Sequence, residues 1–132
     1  VREAISIPLI AAGGIASGRT MLAAEVLGAE GVQIGSRFAA AEESSAHQNF
    51  KNRIVEAGEG ETLLMMKQLT PVRLLRNKFF HEVLALEKRG ASNEEMEALL
   101  GKRRAKKGMF EGDMEEGELE IGQVAAAINK VQ

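Results

Sequence analysis

Two short turns, Gly13-Gly14 and Gly35-Ser36, are the positions in this 132-residue sequence best suited to a chemistry of their own. A phosphate is held by backbone N–H donors, and a Cβ at the point of contact keeps the chain away from its oxygens. Glycine at 13, 14 and 35 removes that obstacle, and the Ser36 hydroxyl can add a hydrogen bond. One glycine turn is a common way to leave a strand. Two of them, about 22 positions apart at the ends of consecutive strands, lie side by side if the strands are parallel, and can then face one anion.

The other polar candidates carry plainer expectations. Arg37 follows the second turn directly and can either touch a phosphate or pair with an acidic neighbour at the sheet edge. Arg73 and Arg76, three positions apart, have the spacing of a fork for a phosphate or carboxylate, although arginines in such a run more often make structural pairs. His47 is expected to bond its neighbours at a helix start. His81 has no ligand-type partner one turn further on, so no metal site is assigned. Gln123 is expected to cap a final helix, with a reach into a cavity as its alternative. Met65-Met66 reads as core, or as a soft cavity wall. No catalytic side chain is assigned.

The elements that must place the two turns are legible around them. The apolar runs Ile7–Ile15 and Gly31–Phe38 are short and bounded by glycine, as in strands buried in a parallel sheet. Between them Ser17 is expected to cap a helix over 18–27, with Met21, Leu22, Val26 and Ala23 inward and Gly28 left-handed at its end. The unit is β-α-β. Beyond Phe38 the pattern becomes helical. Ser44 or Ser45 is predicted to cap a helix to about Ala57 carrying Phe50 and Ile54 inward, with Gly58 as its stop. Thr62–Met66 reads as a short strand or a connector. Pro71 interrupts, and a helix is predicted over 78–88 with Phe79, Val83 and Leu86 on one stripe. Ser92-Asn93-Glu94-Glu95 is a capping-box signature for the next helix. A last helix should follow Gly122, with Val124, Ala127, Ile128 and Val131 inward. The expected division is 1–43, the β-α-β part with the phosphate turns, and 44–132, a mainly helical module whose final helix can return to the first part.

Composition narrows the class. With 45% apolar and 27% charged residues, 14 glycines and two prolines, the chain is globular rather than disordered or collagen-like. No apolar stretch approaches the roughly 20 residues of a membrane helix, so no membrane partner is expected. The absence of cysteine excludes disulfides and thiolate chemistry, and a cytoplasmic location is the default expectation. Lys102–Lys107 is a basic run, but Glu111, Asp113, Glu115, Glu116, Glu118 and Glu120 follow it, the net charge is −2, and no aromatic residue is interleaved. A self-paired surface is expected rather than nucleic-acid contact.

The stretch Ile7–Phe38 resembles the seventh and eighth strand region of the flavin-dependent nitronate monooxygenases (2-nitropropane dioxygenases) and of the related flavin-dependent enoyl-acyl carrier protein reductases. The resemblance continues through Ser45-Ala46-His47, Thr70–Asn77, Gly112-Asp113, Glu116-Gly117 and Gly122-Gln123. It implies an α/β fold, the C-terminal portion of an FMN-binding (β/α)8 TIM barrel contributing its last two strands, with a helical module on the substrate side. It further implies FMN as cofactor, its phosphate held by Gly13, Gly14, Gly35 and Ser36. The family's catalytic histidine and the segments flanking the flavin ring would lie upstream, since such a barrel takes about 250 residues. The chain is then expected to be a proteolytic remnant, a split gene product or a piece of a longer protein. It would pair with the missing barrel half or with copies of itself. The implied activity is oxidation of alkyl nitronates with O2. The alternatives are reduction of an enoyl thioester by NAD(P)H, or a non-catalytic fragment serving as an interaction module. A phosphate-binding barrel of the inosine-monophosphate dehydrogenase type shares the Gly-Gly-Ile and Gly-Ser turns but not the segments around Pro71-Val72-Arg73 and Gly122-Gln123.

Overall fold

The computed structural model describes all residues, Val1–Gln132. Strands β1 (Ile10–Ala12) and β2 (Gly31–Gln33) pair in parallel, Ile10 opposite Gly31 and Ala12 opposite Gln33. Helix α1 (Gly18–Val26) crosses between them. It begins where the sequence predicts: Ser17 Oγ accepts from Thr20 N at 3.3 Å and Thr20 Oγ1 accepts from Ser17 N at 3.1 Å, a reciprocal cap. Gly28 ends it at φ +97°, where a Cβ would run into the Arg2 side chain. The inward stripe is not realised within this chain. Met21, Leu22 and Val26 are 40%, 59% and 79% exposed, because a two-stranded sheet covers only a small part of its crossover helix. For the same reason the strands are not buried on both faces: Ile10 lies 56% exposed.

A short helix, α2 (Ser36–Ala39), leads out of β2, and the rest of the chain is assembled around a small antiparallel sheet. Helix α3 (Gln48–Val55) starts later than either serine suggests. Ser44 Oγ is engaged by Ala46 N at 3.2 Å, and the cap is the His47 ring, whose Nδ1 accepts from Asn49 N at 3.1 Å. The ambiguous Thr62–Met65 stretch is a strand, β3, in hairpin with β4 (Val72–Leu75), Thr62 opposite Leu75 and Met65 opposite Val72. A third segment runs antiparallel along β4, with Leu75 N donating to Leu119 O and Ile121 N to Arg73 O, both at 3.0 Å.

This sheet divides the core, because successive residues point to opposite faces. Leu75 packs with Ala40, Phe50, Ile54, Leu119, Ile121, Ala125 and Ile128. Leu74 packs on the other side with Met65, Phe79, Phe80, Val83 and Met96. The second cluster is closed by α4 (Lys78–Lys88) and α5 (Asn93–Leu100), the latter begun by the predicted Ser92–Glu95 capping box. The last predicted helix is only a 3-10 turn, Gln123–Ala127. Beyond it the chain extends so that Gln132 exchanges backbone hydrogen bonds with Ala40 and Glu42, which a continued helix would forbid. The basic and acidic runs pair as expected, through Lys106–Glu111, Lys107–Asp113 and Arg104–Glu116. No helix is long and apolar enough to cross a membrane.

Candidate functional site

The turns after β1 and β2 come together in one cleft of about 270 Å³. Gly13, Gly14, Gly35 and Ser36 all line it, with Gln33 and Gly122 beside them. Gly13 and Gly14 have φ of +88° and +71°, a conformation that side-chain-bearing residues rarely adopt. The space in front of Gly13, Gly14 and Gly35 is open: a Cβ on any of them would meet nothing within 4 Å. None of the backbone N–H groups of Gly13, Gly14, Gly35 and Ser36 makes a hydrogen bond to the protein. Gly13, Gly14 and Gly35 are exposed, so their N–H groups face solvent, whereas Ser36 is only 8% exposed and is the one buried donor of the four left unpaired, where such donors are nearly always paired. The cleft therefore presents free donors, and no charged side chain lines it.

Ser36 is tied from behind. Its Oγ accepts from Gly122 N at 3.1 Å, which leaves the hydroxyl proton available to a ligand oxygen. Gly122 is required for this closeness, since a Cβ there would come within 2.8 Å of Ser36 Oγ. Gly122 is thus a site residue that the sequence reading missed. Its signal was the Gly122-Gln123 turn, where attention falls on the side chain of Gln123. Gln123 instead lines a separate hollow with Gly58, Gly60 and Thr62.

The other candidates lie elsewhere or in different roles. Arg37 Nη2 donates to the carbonyls of Ala40 and Lys130, at 2.8 and 2.9 Å, and so braces the chain end rather than an acidic neighbour. Arg73 and Arg76 do not form a fork. Arg76 donates to Gly60 O at 3.3 Å and lies over the Phe80 ring, whereas Arg73 Nη1 donates to the carbonyl and hydroxyl of Thr62. His47 caps α3, and a Cβ on Gly112 would overlap its ring. His81 stands edge-on to Phe80 at 5.2 Å. No group of three His, Asp or Glu side chains is placed to hold a metal ion. Met65 is core, while Met66 also lines an apolar cleft of about 330 Å³ with Leu63, Leu64, Leu69 and Met96.

The family model for nitronate monooxygenase matches residues 1–132, the whole of the chain. The chain belongs to the nitronate monooxygenase family. A probable nitronate monooxygenase of Staphylococcus saprophyticus is 42% identical over 83 residues, 61% of this chain and 23% of the relative. One from Bacillus subtilis is 52% identical over 62 residues, 47% of this chain and 18% of the relative. Among solved structures, FabK from Thermotoga maritima superposes with a TM-score of 0.84 at 40% identity, over 99% of this chain and 42% of its own. Nitroalkane oxidase from Streptomyces ansochromogenes gives 0.72 at 29% identity, over 98% and 37%. This nitronate monooxygenase family chain therefore spans 23% or less of these two curated relatives and about two fifths of the solved ones.

Proposed function

We propose that this chain is the phosphate-anchoring portion of an FMN-dependent oxidoreductase that oxidises alkyl nitronates with O2. The observation that carries the reading is the set of four unpaired backbone N–H groups, from Gly13, Gly14, Gly35 and Ser36, around one cleft. The residues fit a phosphate monoester: the four residues line one cleft, the space before the three glycines is open, and the Ser36 hydroxyl has a proton to give. Bound flavin supplies the electron transfer. The chain's own residues bind and orient it: Gly13 and Gly14 from one strand end, Gly35 and Ser36 from the next, with Gly122 fixing the Ser36 rotamer.

On this reading residues 1–43 form the end of a (β/α)8 barrel, and residues 44–132 shape the substrate opening. Proton transfer is assigned to none of these residues. A second reading, reduction of an enoyl thioester by NAD(P)H, uses the same turns. It is supported by the greater likeness to FabK than to nitroalkane oxidase.

The test begins with the absorbance spectrum and mass of the purified protein titrated with FMN. Stoichiometric FMN is expected, and Gly14→Val should bind it at least ~10-fold more weakly. Valine strains a backbone at φ +71° and puts methyl groups where the phosphate oxygens belong. A folded protein that takes up no FMN, or a Gly14→Val variant of unchanged affinity, overturns the assignment. Turnover of nitronates with O2, against enoyl thioesters with NAD(P)H, then separates the two activities.

A further inference from the structure

We infer that Arg73 is the cation of this site, reaching the anionic group held at the Gly35-Ser36 turn; the inference rests on the phosphate reading above. The cleft that holds the four free N–H groups is lined by no charged side chain. A phosphate monoester carries close to two negative charges at neutral pH, and dipoles alone would have to balance them. A second cleft of about 470 Å³ adjoins the first and shares Gly35, Ser36 and Gly122 with it. The only cation lining either one is Arg73.

Register sets the face on which Arg73 stands. Arg73 lies two residues before Leu75, hence on the sheet face that carries the cluster of Ala40, Leu119 and Ile121. Arg73 O accepts from Ile121 N, and the next residue along that segment, Gly122, donates to Ser36 Oγ. Arg73 is thus coupled to the phosphate turn through two hydrogen bonds and one peptide unit.

Its guanidinium is anchored but not satisfied. Nη1 donates to the carbonyl and hydroxyl of Thr62 at 3.2 Å each, while Nε and Nη2 have no partner in the protein. Arg73 makes no ion pair, although Glu120 lines the same cleft. An arginine held at one nitrogen with its other donors free is organised to receive an anion.

The experiment compares FMN with riboflavin, which lacks the phosphate, by fluorescence titration of the purified protein and its variants. The readout is the ratio of the two dissociation constants, which a general loosening of the hairpin leaves unchanged. Arg73→Met should reduce the preference for FMN about tenfold, the loss of one charge-assisted contact, with riboflavin affinity held within about twofold. Arg73→Lys should recover part of it. A preference for FMN that survives Arg73→Met unchanged, or that falls only because riboflavin binding changes, overturns the role of Arg73 and leaves the glycine anchor standing. A wild-type protein that does not distinguish FMN from riboflavin overturns the phosphate reading itself, and this inference with it.

Discussion

Glu118 shows how far a single residue's behaviour can depart from its appearance in the sequence. It looks like one more carboxylate in an acidic run, yet it is 6% exposed, and burial, aided by the nearby Glu120 charge, pushes its carboxyl up to about 7 against the pull of Arg104. A folded-state value above the unfolded one means that the native protein binds the extra proton. Stability from this group is therefore full below the ordinary carboxylate range and is lost as pH rises through about 7. Glu118→Gln should flatten that slope and raise the denaturation midpoint at pH 8 relative to wild type, as followed by urea unfolding between pH 5 and 8. A variant that keeps the wild-type slope would assign it to another group. Asp113 works in the opposite direction, its carboxylate lowered by the Glu116 and Glu115 amides and by Lys107, so its contribution fades on acidification. At this scale the glycines were readable because backbone geometry restricts them. The roles of Arg37 and Arg73 were not, because a long cationic side chain takes its partner from the tertiary surroundings. Arg37 found carbonyls 3 and 93 residues away.

At the scale of elements, local signals were read well wherever they are self-contained. The Ser17 and Ser92 caps, the left-handed Gly28 and the helix at 78–88 follow from residues within one or two turns. The start of α3 and the end of the last helix did not, since both depend on distant backbone: His47 N donates to Met109 O at 2.8 Å, and Gln132 lies along Ala40–Glu42. Asn77 joins the two kinds of information. Its Oδ1 caps α4 by accepting from Phe80 N at 2.8 Å, and its Nδ2 donates to the carbonyls of Met114 and Gly117 at 3.0 and 2.8 Å. Asn77→Ala removes a cap and strands two carbonyls, and should cost about 2–3 kcal/mol. Asn77→Asp keeps the cap but cannot donate, and should fall between the two in thermal and urea denaturation. Equal losses for both variants would place the whole effect in the donated bonds.

For the whole molecule, the sheet at β3–β4 is buried on both faces at Leu74 and Leu75, while the β-α-β unit is covered on neither. Ile7, Ile10, Leu22, Val26, Leu27 and Phe38 are each more than half exposed, and a strand pair with open edges readily recruits further chain. A polypeptide of residues 1–132 should therefore self-associate at micromolar concentration. Sedimentation velocity should show Val26→Glu with Leu22→Lys shifting it toward monomer, and an unchanged distribution would locate the contact elsewhere. The hydrogen bond from Gly122 N to Ser36 Oγ joins residues 86 positions apart, so everything between them departs from and returns to a single point. Such an excursion behaves as a cassette. Phe50, Ile54 and Leu75 within it pack on Ala125 and Ile128 beyond it, so a chimera spliced at 36 and 122 keeps its fold only if those three contacts are carried along.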